Sequence, residues 1–584
     1  MSYARGLSPG RDYTARPTLK GRAFVMLGRL RVLPLSTWLS AIALVVALAA
    51  FAAVALHQLH LPGFYYDEAL DLAPMLDLMR GETPELLRGV GVAGRFPVML
   101  LDYMGSLGGY LTVPFMWVFG VGYQAARAQP LFFSTLSIVL AWLLARRWFG
   151  DAVAALATIA LAVNPSLIWF SRQGISVTSV MLVCSLGSVL LLQAALDHPR
   201  RARALIFAAG LLLGLGLWAK FLFLRWWVVM VIGAAVLALG LWRKRLNHAV
   251  MRRVMGWLGA GVAIGAAPLI YYNLVGLLRE GDPWTLSLLW RSLAQPTQQF
   301  GVNNWDVLSN LRKSIDDVRV FVDGSYFWYN GIPFSNVYAV PSLLSAAVVG
   351  GALAVLRARC ADAETRAQSW RFFAVLSALP TLTFLGAFTV TGLWSTHHFI
   401  MLPIPQLLLA CAAVWLAEAA LNRLQRGRTI AVWALSLTLV SWPLHRDVWV
   451  NQMHHETLAR TGGVGRFSDA VYRLADWLDR NAIYAPIALD WGIQKNVRVL
   501  TADRVRPIEV FGHTPQADAR FYQQVAELLQ HPEHYYIVLW ERFAVYNRRA
   551  EFTEIARQMG RQVEEVFIAH ERSGLPVYVV LRAN

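Results

Sequence analysis

The chain has 584 residues, of which 57% are hydrophobic and 15% are charged, and its mean hydropathy is +0.45. A soluble globular chain carries about 25% charged residues, so a soluble fold is excluded for most of this chain. Long apolar stretches recur between residues 38 and 444, and many approach the roughly 20 residues that a helix needs to cross a bilayer. The composition therefore predicts a polytopic α-helical membrane protein.

The formal net charge of +17 follows the pattern of membrane topology. Basic residues cluster in short segments between apolar stretches, at 5–31, 146–147, 200–203, 243–253, 357–371 and 423–428. Such clusters hold loops on the cytoplasmic side of a membrane. Topology and contact with anionic membrane lipids account for most of the charge, so we do not expect nucleic acid as a partner.

Residues 1–33 form a basic tail that we expect to lie in the cytoplasm. The first predicted span, Trp38–His60, follows the tail and therefore runs outward. No small-residue cleavage site is evident after it, so the span is predicted to be a retained anchor rather than a removed signal peptide. The next segment, residues 61–105, holds seven acidic and three basic residues and is predicted to be an external loop.

A transmembrane domain is predicted over residues 34–445, with about 11–13 spans and a second external loop at 276–335. The later spans alternate between basic and non-basic ends, as the positive-inside rule requires. They are expected near residues 151–170, 176–195, 203–219, 221–242, 253–275, 336–356, 371–392, 397–420 and 429–445.

One stretch does not fit this alternation. It contains two apolar segments, Val98–Phe119 and Leu131–Trp148. If both crossed the membrane, the basic pair Arg146–Arg147 would lie outside. Either one segment is re-entrant or interfacial, or the charge rule fails here.

The composition changes after residue 445, and residues 446–584 are predicted to form an α/β domain. Helical periodicity alternates there with short β-rich runs. The predicted helices are Phe467–Arg480 and Ala517–Gln530, and the predicted strands are Pro486–Leu489, Val497–Leu500, Tyr535–Leu539 and Val577–Leu581. Because the domain follows an outward span, we expect it to lie outside the cytoplasm.

The chain has three cysteines, and their positions argue against a disulfide framework or a zinc motif. Cys184 and Cys411 lie in apolar stretches, whereas Cys360 lies in a basic loop.

The clearest local signal is the pair Asp67–Glu68, which follows Tyr65 and Tyr66 directly after the first span. A carboxylate at the membrane surface can act as a general base or help to hold a divalent cation. The same residues are also typical of a helix N-terminus, with Asp67 as the cap and acidic residues in the first turn. The spacing alone leaves both interpretations open.

A second signal comes from cations at the predicted outer ends of spans, where the positive-inside rule does not require them. These residues are Arg172, Lys220 and Arg225. Ionisable residues at membrane depth are costly and tend to mark function, and a lipid phosphate would be a natural partner. The alternative is that the side chains extend to the membrane surface.

The histidine pair His397–His398 lies in a short external turn. Adjacent histidines can supply a metal ligand or a phosphate contact. The alternative is that one of the pair only caps or packs.

These features resemble the protein O-mannosyltransferase-like group, which is glycosyltransferase family 39 within the C-type membrane glycosyltransferases. The resemblance rests on the acidic pair and on the run from Leu101 to Pro114 (LDYMGSLGGYLTVP). It continues through 145–150 (ARRWFG), Asn164–Pro165, Ser171–Arg172, 216–220 (GLWAK) and, more faintly, 398–405, and it covers about residues 35–420.

The resemblance implies a sugar donor linked to polyprenyl phosphate, inversion at the anomeric carbon, and an acid of the first external loop close to the reaction. Asp67 matches that acid and Glu68 lies beside it, so both are candidate catalytic residues. Lys220 matches a basic residue near the lipid phosphate, and Arg172 is a weaker match. Tyr66, His397 and His398 complete the substrate-binding candidates together with Asp102.

Asp102 is a candidate because the sequence departs at this point from that of a related group of enzymes. The related lipid A aminoarabinose transferases carry a Glu-Lys-Pro run at the start of the second apolar segment, where this chain has Asp102-Tyr103-Met104 nearby. Asp102 is a candidate replacement for that acid. A divalent metal ion stays a candidate cofactor, but no ligand set is assigned to it.

The predicted function is that of an inverting glycosyltransferase in a bacterial inner membrane, acting at the outer face. In one displacement Asp67 would take the acceptor's proton, and Lys220 with Arg172 would stabilise the departing polyprenyl phosphate. The acceptor is a protein, a lipid or a glycan. The competing hypotheses are a polytopic transporter or lipid flippase, and a non-catalytic envelope assembly protein.

Overall fold

The computed structural model describes residues 34–173, 176–241, 248–294, 298–299, 302–388, 394–512, 514 and 516–584. The predicted tail at 1–33, the basic residues 243–245, and residues 295–297 and 300–301 of the second predicted external loop lie outside these ranges. The remaining ranges contain a large helical part and a smaller C-terminal part built around a sheet.

The helical part combines long apolar helices with short helices between them. In chain order these are α1 (Leu35–Leu56), α2 (Tyr66–Leu70), α3 (Ala73–Met79), α4 (Leu107–Phe119), α5 (Tyr123–Phe149), α6 (Asp151–Ala162), α7 (Pro165–Arg172), α8 (Ser176–Asp197), α9 (Ala202–Ala219), α10 (Leu224–Leu241), α11 (His248–Gly265), α12 (Ala267–Glu280), α13 (Trp284–Ala294), α14 (Val307–Asp323), α15 (Ala339–Ala358), α16 (Ala363–Gly386), α17 (Ile404–Ala420) and α18 (Arg428–Thr461).

Within the described ranges, six helices are long and apolar enough to cross a membrane, or nine if each of three bent pairs counts as one span. The bent pairs are α6 with α7, α11 with α12, and the turn Ser395–Met401 with α17, and they bend by 52°, 72° and 47°. Two further long helices, α16 and α18, do not reach the same apolarity. The predicted helical membrane class is confirmed, while the predicted number of 11–13 spans stays a prediction.

The ambiguous stretch around residues 98–149 contains one short helix and one long helix. Helix α4 has 13 residues and spans about 20 Å, too short for a bilayer core of about 30 Å. It follows the hairpins β1–β2 (Gly91–Val92, Phe96–Pro97) and β3–β4 (Met99–Leu101, Met104–Gly105). Helix α5 has 27 residues and carries Arg146–Arg147 in its last turn. The first apolar segment therefore does not cross as a helix, and the alternation is kept.

Helices α9 and α11 approach closely through glycines. A Cβ atom on Gly210 would lie 2.2 Å from the carbonyl oxygen of Leu258, and one on Gly214 would lie 2.4 Å from that of Val262. Small residues allow such backbone contact between membrane helices. The contact fixes α9 against its neighbour and so fixes the position of Lys220, which follows its last residue.

The C-terminal part has a five-stranded sheet in the order β10-β11-β9-β7-β8. Strands β10, β11 and β9 are antiparallel, whereas β7 is parallel to both β9 and β8. The strands are β7 (Ile487–Ala488), β8 (Ile508–Glu509), β9 (Tyr535–Leu539), β10 (Val563–His570) and β11 (Pro576–Ala583), and the helices are α19 (Ala470–Arg480), α20 (Gln494–Leu500), α21 (Ala519–Leu528) and α22 (Arg549–Gln558). A separate short hairpin, β5–β6 (Gln298–Gln299, Val302–Asn303), lies in the helical part.

The predicted α/β character of this part is confirmed, with one element wrong. Val497–Leu500 was predicted to be a strand but forms the end of helix α20. Both Val497 and Val499 are fully buried there, which shows that a short apolar run can be buried from either type of structure. Helix α18 continues through residue 446 to Thr461, so the two parts join without a linker.

Candidate active site

The turn after α1 is held by Arg172, which is completely buried at the end of α7. Its Nη2 atom donates to the carbonyl oxygens of His57 at 2.6 Å and Gln58 at 2.7 Å. Carbonyl groups at the end of a helix lack hydrogen-bond donors within that helix. Arg172 supplies the missing donors. Its ring contacts are Trp169, 4.6 Å from the guanidinium carbon, and His455, at 3.3 Å from Nη1. Arg172 therefore supports the turn and is not placed to contact the phosphate as the sequence predicted.

A second fully buried arginine, Arg127 of α5, holds the next part of the same turn. It donates to the carbonyl oxygens of Leu59 at 2.6 Å and Pro62 at 3.0 Å. Its Nε and Nη2 atoms also bind the two carboxylate oxygens of Glu68 at 2.7 and 2.8 Å. The backbone N–H of Tyr65 donates to the same carboxylate at 3.1 Å.

Glu68 is 2% exposed and both of its oxygens are occupied. This geometry gives Glu68 a positioning role and leaves no oxygen free to accept an acceptor's proton, as the sequence-based candidate role would require. Helix α2 begins at Tyr66, so Asp67 is its second residue rather than its cap. The capping contact predicted for the acidic pair is made by Glu68.

Asp67 points away from this buried network. Its side chain is exposed to solvent and yet surrounded by protein, which places it at the bottom of a concavity. Burial raises the pKa of the Asp67 carboxyl, and the nearby charges of Lys220, Arg466 and Lys495 oppose that rise. A carboxylate with a raised pKa and open access has the properties of a general base.

Lys220 lies close enough to Asp67 for each charge to act on the other. It follows the last residue of α9 and forms a β-bridge with Met104 of the β3–β4 hairpin. The charges that act on Lys220 are Asp67, Asp71 and Arg225, and burial lowers its pKa. The hairpin and the helix end thus hold an ammonium group opposite the Asp67 carboxylate.

Further cationic and imidazole groups lie near Lys220. His397, in the turn before α17, lies within Coulombic range of Lys220, Arg225, His398 and Lys313. His398 is 1% exposed, and among the described residues neither of its ring nitrogens has a hydrogen-bond partner. The structure therefore brings together the predicted residues Lys220, His397 and His398, with Arg225 beside them.

The Asp102 carboxylate is engaged by other residues of the protein. Its carboxylate accepts hydrogen bonds from Arg88 at 3.0 and 3.1 Å and from the Tyr272 hydroxyl at 2.5 Å. These bonds tie the β3–β4 hairpin to α12, so Asp102 is placed as an anchor of the external loop rather than as the substrate-binding acid that the sequence suggested.

The C-terminal domain contacts the two tyrosines that precede Asp67. Trp491 packs on Tyr66, with ring centroids 4.4 Å apart, and Phe467 stacks on Tyr65 at 4.0 Å. The Lys495 Nζ atom lies 5.4 Å from the centre of the Tyr66 ring. Tyr66 is therefore buried against the C-terminal domain, and its role in substrate binding stays a prediction.

Sequence reasoning missed several of these residues. Arg127 lies beside a predicted apolar segment, and its charge was a signal that buried polar structure forms there. Trp491 and Lys495 carry no such signal, because a tryptophan and a lysine are ordinary in an α/β domain.

Among the described residues, no group of three or more His, Cys, Asp or Glu side chains is arranged to hold a metal ion. The candidate divalent cofactor therefore stays a prediction, and no chemical step is assigned to it.

Residues 106–272 match the family model described as dolichyl-phosphate-mannose-protein mannosyltransferase. A comparison with curated protein sequences finds no match. The resemblance inferred from the sequence is confirmed by the family match and by the solved structures that share this fold.

Two solved structures show the likeness. ArnT from Cupriavidus metallidurans bound to undecaprenyl phosphate is 13% identical with a TM-score of 0.55, over 94% of this chain and 98% of that one. Oligosaccharyltransferase AglB from Archaeoglobus fulgidus, in complex with an inhibitory peptide and a dolichol-phosphate, is 14% identical with a TM-score of 0.51, over 88% of this chain and 70% of that one. At these identities the likeness establishes the fold.

Proposed function

We propose that this chain, which has the fold of the C-type membrane glycosyltransferases, transfers a sugar from a polyprenyl-phosphate carrier to an acceptor at the outer face of the membrane. The observation that carries the proposal is the accessible Asp67 carboxylate opposite Lys220, with the His397–His398 turn behind it. The ligands named for the two solved structures, undecaprenyl phosphate and a dolichol-phosphate, support the same class of donor here.

An apolar cavity next to the cationic group suits the lipid part of such a donor. Its volume is about 190 Å³, and it lies between α5, α8, α10, α16 and α17. Trp226 and Met230 line it, and Trp226 directly follows Arg225. Part of an isoprenoid chain can occupy this cavity while the phosphate reaches the cations at the membrane surface.

The proposed reaction is a single displacement. The acceptor oxygen forms a bond to C1 of the sugar while the bond from C1 to the phosphate oxygen breaks on the opposite side. The electron pair of the broken bond stays on the phosphate, and the acceptor proton moves to Asp67. Lys220 and Arg225 stabilise the charge that develops on the phosphate, which is the type of electrostatic contribution that dominates many enzymes.

Lys220→Met is expected to weaken binding of undecaprenyl phosphate by about 10- to 100-fold, because a hydrogen bond to a charged group contributes about 1.5–3 kcal/mol. Binding is measured on the purified protein in nanodiscs by native mass spectrometry. Arg480→Met is the matched control, since Arg480 is exposed on the C-terminal domain. Unchanged affinity in a folded Lys220→Met protein would remove Lys220 from the donor site.

The orientation of the chain in the membrane is tested by chemical labelling of cysteines. Among them Cys360, between α15 and α16, is exposed, whereas Cys184 and Cys411 are buried. A membrane-impermeant maleimide should leave Cys360 unlabelled in intact spheroplasts and label it after permeabilisation. A Gln558→Cys substitution at the exposed end of α22, in a Cys360→Ser background, should be labelled without permeabilisation. The reverse pattern would place the C-terminal domain in the cytoplasm and contradict the proposal.

A further inference from the structure

The C-terminal domain packs against the helix that carries Asp67, and three of its residues define what we name the outer wall: Trp491, Lys495 and Glu509. Helix α20 packs against α2, which carries Tyr66 and Asp67. Trp491 presents its ring to Tyr66 at 4.4 Å, and Glu509 lies on the edge strand β8 within Coulombic range of Lys495.

The outer wall contains a buried polar atom without a hydrogen-bond partner. Within the part of the chain that the structure describes, the buried Oε1 of Glu509 has no such partner, while the half-buried Lys495 places its ammonium 5.4 Å from the centre of the Tyr66 ring. Burial raises the pKa of Glu509 to about 7, so near neutral pH this carboxyl can either donate or accept.

Helix α20, which carries Lys495, also contains a charged residue with a structural role. Arg498, one turn after Lys495, binds Asp77 at 2.5 Å and Asp503 at 2.7 Å. Because buried polar groups are normally paired, the unpartnered Oε1 of Glu509 near this fully paired arginine indicates that a ligand supplies the missing bond.

The outer wall and the donor cations come from different parts of the chain. Lys220 follows the last residue of the membrane helix α9, whereas Lys495 lies on α20 of the C-terminal domain. The charges of both act on the Asp67 carboxyl. With the donor phosphate at Lys220, the outer wall is therefore on the acceptor side.

The charges of the acceptor side alternate in sign. Lys495 and Arg466 are positive, while Glu509 and the nearby Glu85 are acidic. A strongly anionic acceptor would meet the two carboxyl groups, and a cationic acceptor would meet the two cations. A neutral ligand with several hydroxyl groups can use donors and acceptors together, and its flat apolar face can lie on an aromatic ring.

Building on the proposed function, we propose that the outer wall binds the acceptor and that the acceptor is a carbohydrate. A sugar ring lies against Trp491, its hydroxyl groups bind Lys495 and Glu509, and the nucleophilic hydroxyl is directed to Asp67. The C-terminal domain is then the part of the chain that selects the acceptor.

The test uses the full-length protein in nanodiscs and saturation-transfer NMR. The probes are methyl pyranosides and disaccharides of glucose, galactose, mannose and N-acetylglucosamine, a serine- and threonine-containing peptide, and glycerol 2-phosphate. We expect saturation transfer to at least one sugar probe, reduced about tenfold or more in Lys495→Met and Glu509→Gln and unchanged in Arg480→Met. Binding of undecaprenyl phosphate is measured on each variant.

Several outcomes would overturn the inference: transfer to none of the sugars, transfer to the peptide or to glycerol 2-phosphate instead, or sugar binding unaffected by both outer-wall substitutions. If the unsubstituted protein does not bind undecaprenyl phosphate, the proposed function fails instead. The two failures are therefore distinguishable in one set of samples.

Discussion

Asp67→Asn is expected to lower the rate of sugar transfer by about 10²- to 10⁴-fold, the range that a positioned general base contributes. The substitution keeps the size of the side chain and removes its basicity. Because the Asp67 side chain is open to the concavity and is not part of the buried Glu68–Arg127 network, we expect normal membrane insertion and normal binding of undecaprenyl phosphate.

The measurement is transfer from a polyprenyl-phosphate sugar by the purified protein, with Glu82→Gln as the control because Glu82 is an exposed acid of the same external loop. Burial raises the pKa of Asp67, so transfer should decline as the pH falls through a value above the usual carboxyl range. Transfer by Asp67→Asn near the rate of the unsubstituted protein would remove Asp67 from the mechanism. Transfer by the purified protein would also exclude the transporter and assembly hypotheses.

Breaking the buried ion pair between Glu68 and Arg127 is expected to have the largest effect on stability. Removing one partner of a buried pair costs about 3–5 kcal/mol, because the other charge is left without compensation. Both Glu68→Leu and Arg127→Met should lower the melting temperature strongly. Arg127→Met should be the more damaging of the two, since it also removes the hydrogen bonds to the carbonyl groups of Leu59 and Pro62.

The double variant Glu68→Leu/Arg127→Met distinguishes pairing from general disruption. It removes both charges together and should be more stable than Arg127→Met, which loses the same carbonyl hydrogen bonds and also leaves Glu68 without its partner. Arg480→Met is the control, since Arg480 pairs with Asp476 on the surface, where ion pairs contribute about 0–1 kcal/mol. Equal melting temperatures for Glu68→Leu and Arg480→Met would show that the buried pair does not hold the turn.

The fold was predictable from the sequence wherever one physical term dominated. Apolar length and the placement of basic residues predict the membrane helices, and Arg146–Arg147 at the end of α5 follows the same rule. The failure at Val497–Leu500 has a local cause, since a four-residue apolar run is compatible with a strand and with the buried face of a short helix. The short helix α4 could not be told from a span because the apolar run before it forms hairpins instead.

The site was predictable only in part. Asp67, Lys220 and the His397–His398 pair stand out because charged or polar groups at membrane ends are costly. The sequence cannot show which acid of a pair is used, because the partner of Glu68 is Arg127, in another helix. Lys495 and Trp491 come from a distant domain, so only the folded chain reveals that both lie against Tyr66, the residue before Asp67.

Helix α18 connects the helical part of the chain to the C-terminal part. Its 34 residues measure about 51 Å, well beyond the 30 Å or so of a hydrocarbon core. Under the proposed topology, this length holds the C-terminal domain at a fixed distance from the bilayer surface. If the proposed transfer takes place at Asp67, an acceptor must then be long enough to bring its hydroxyl to that carboxylate, so the length of the acceptor as well as its chemistry would determine whether it receives the sugar.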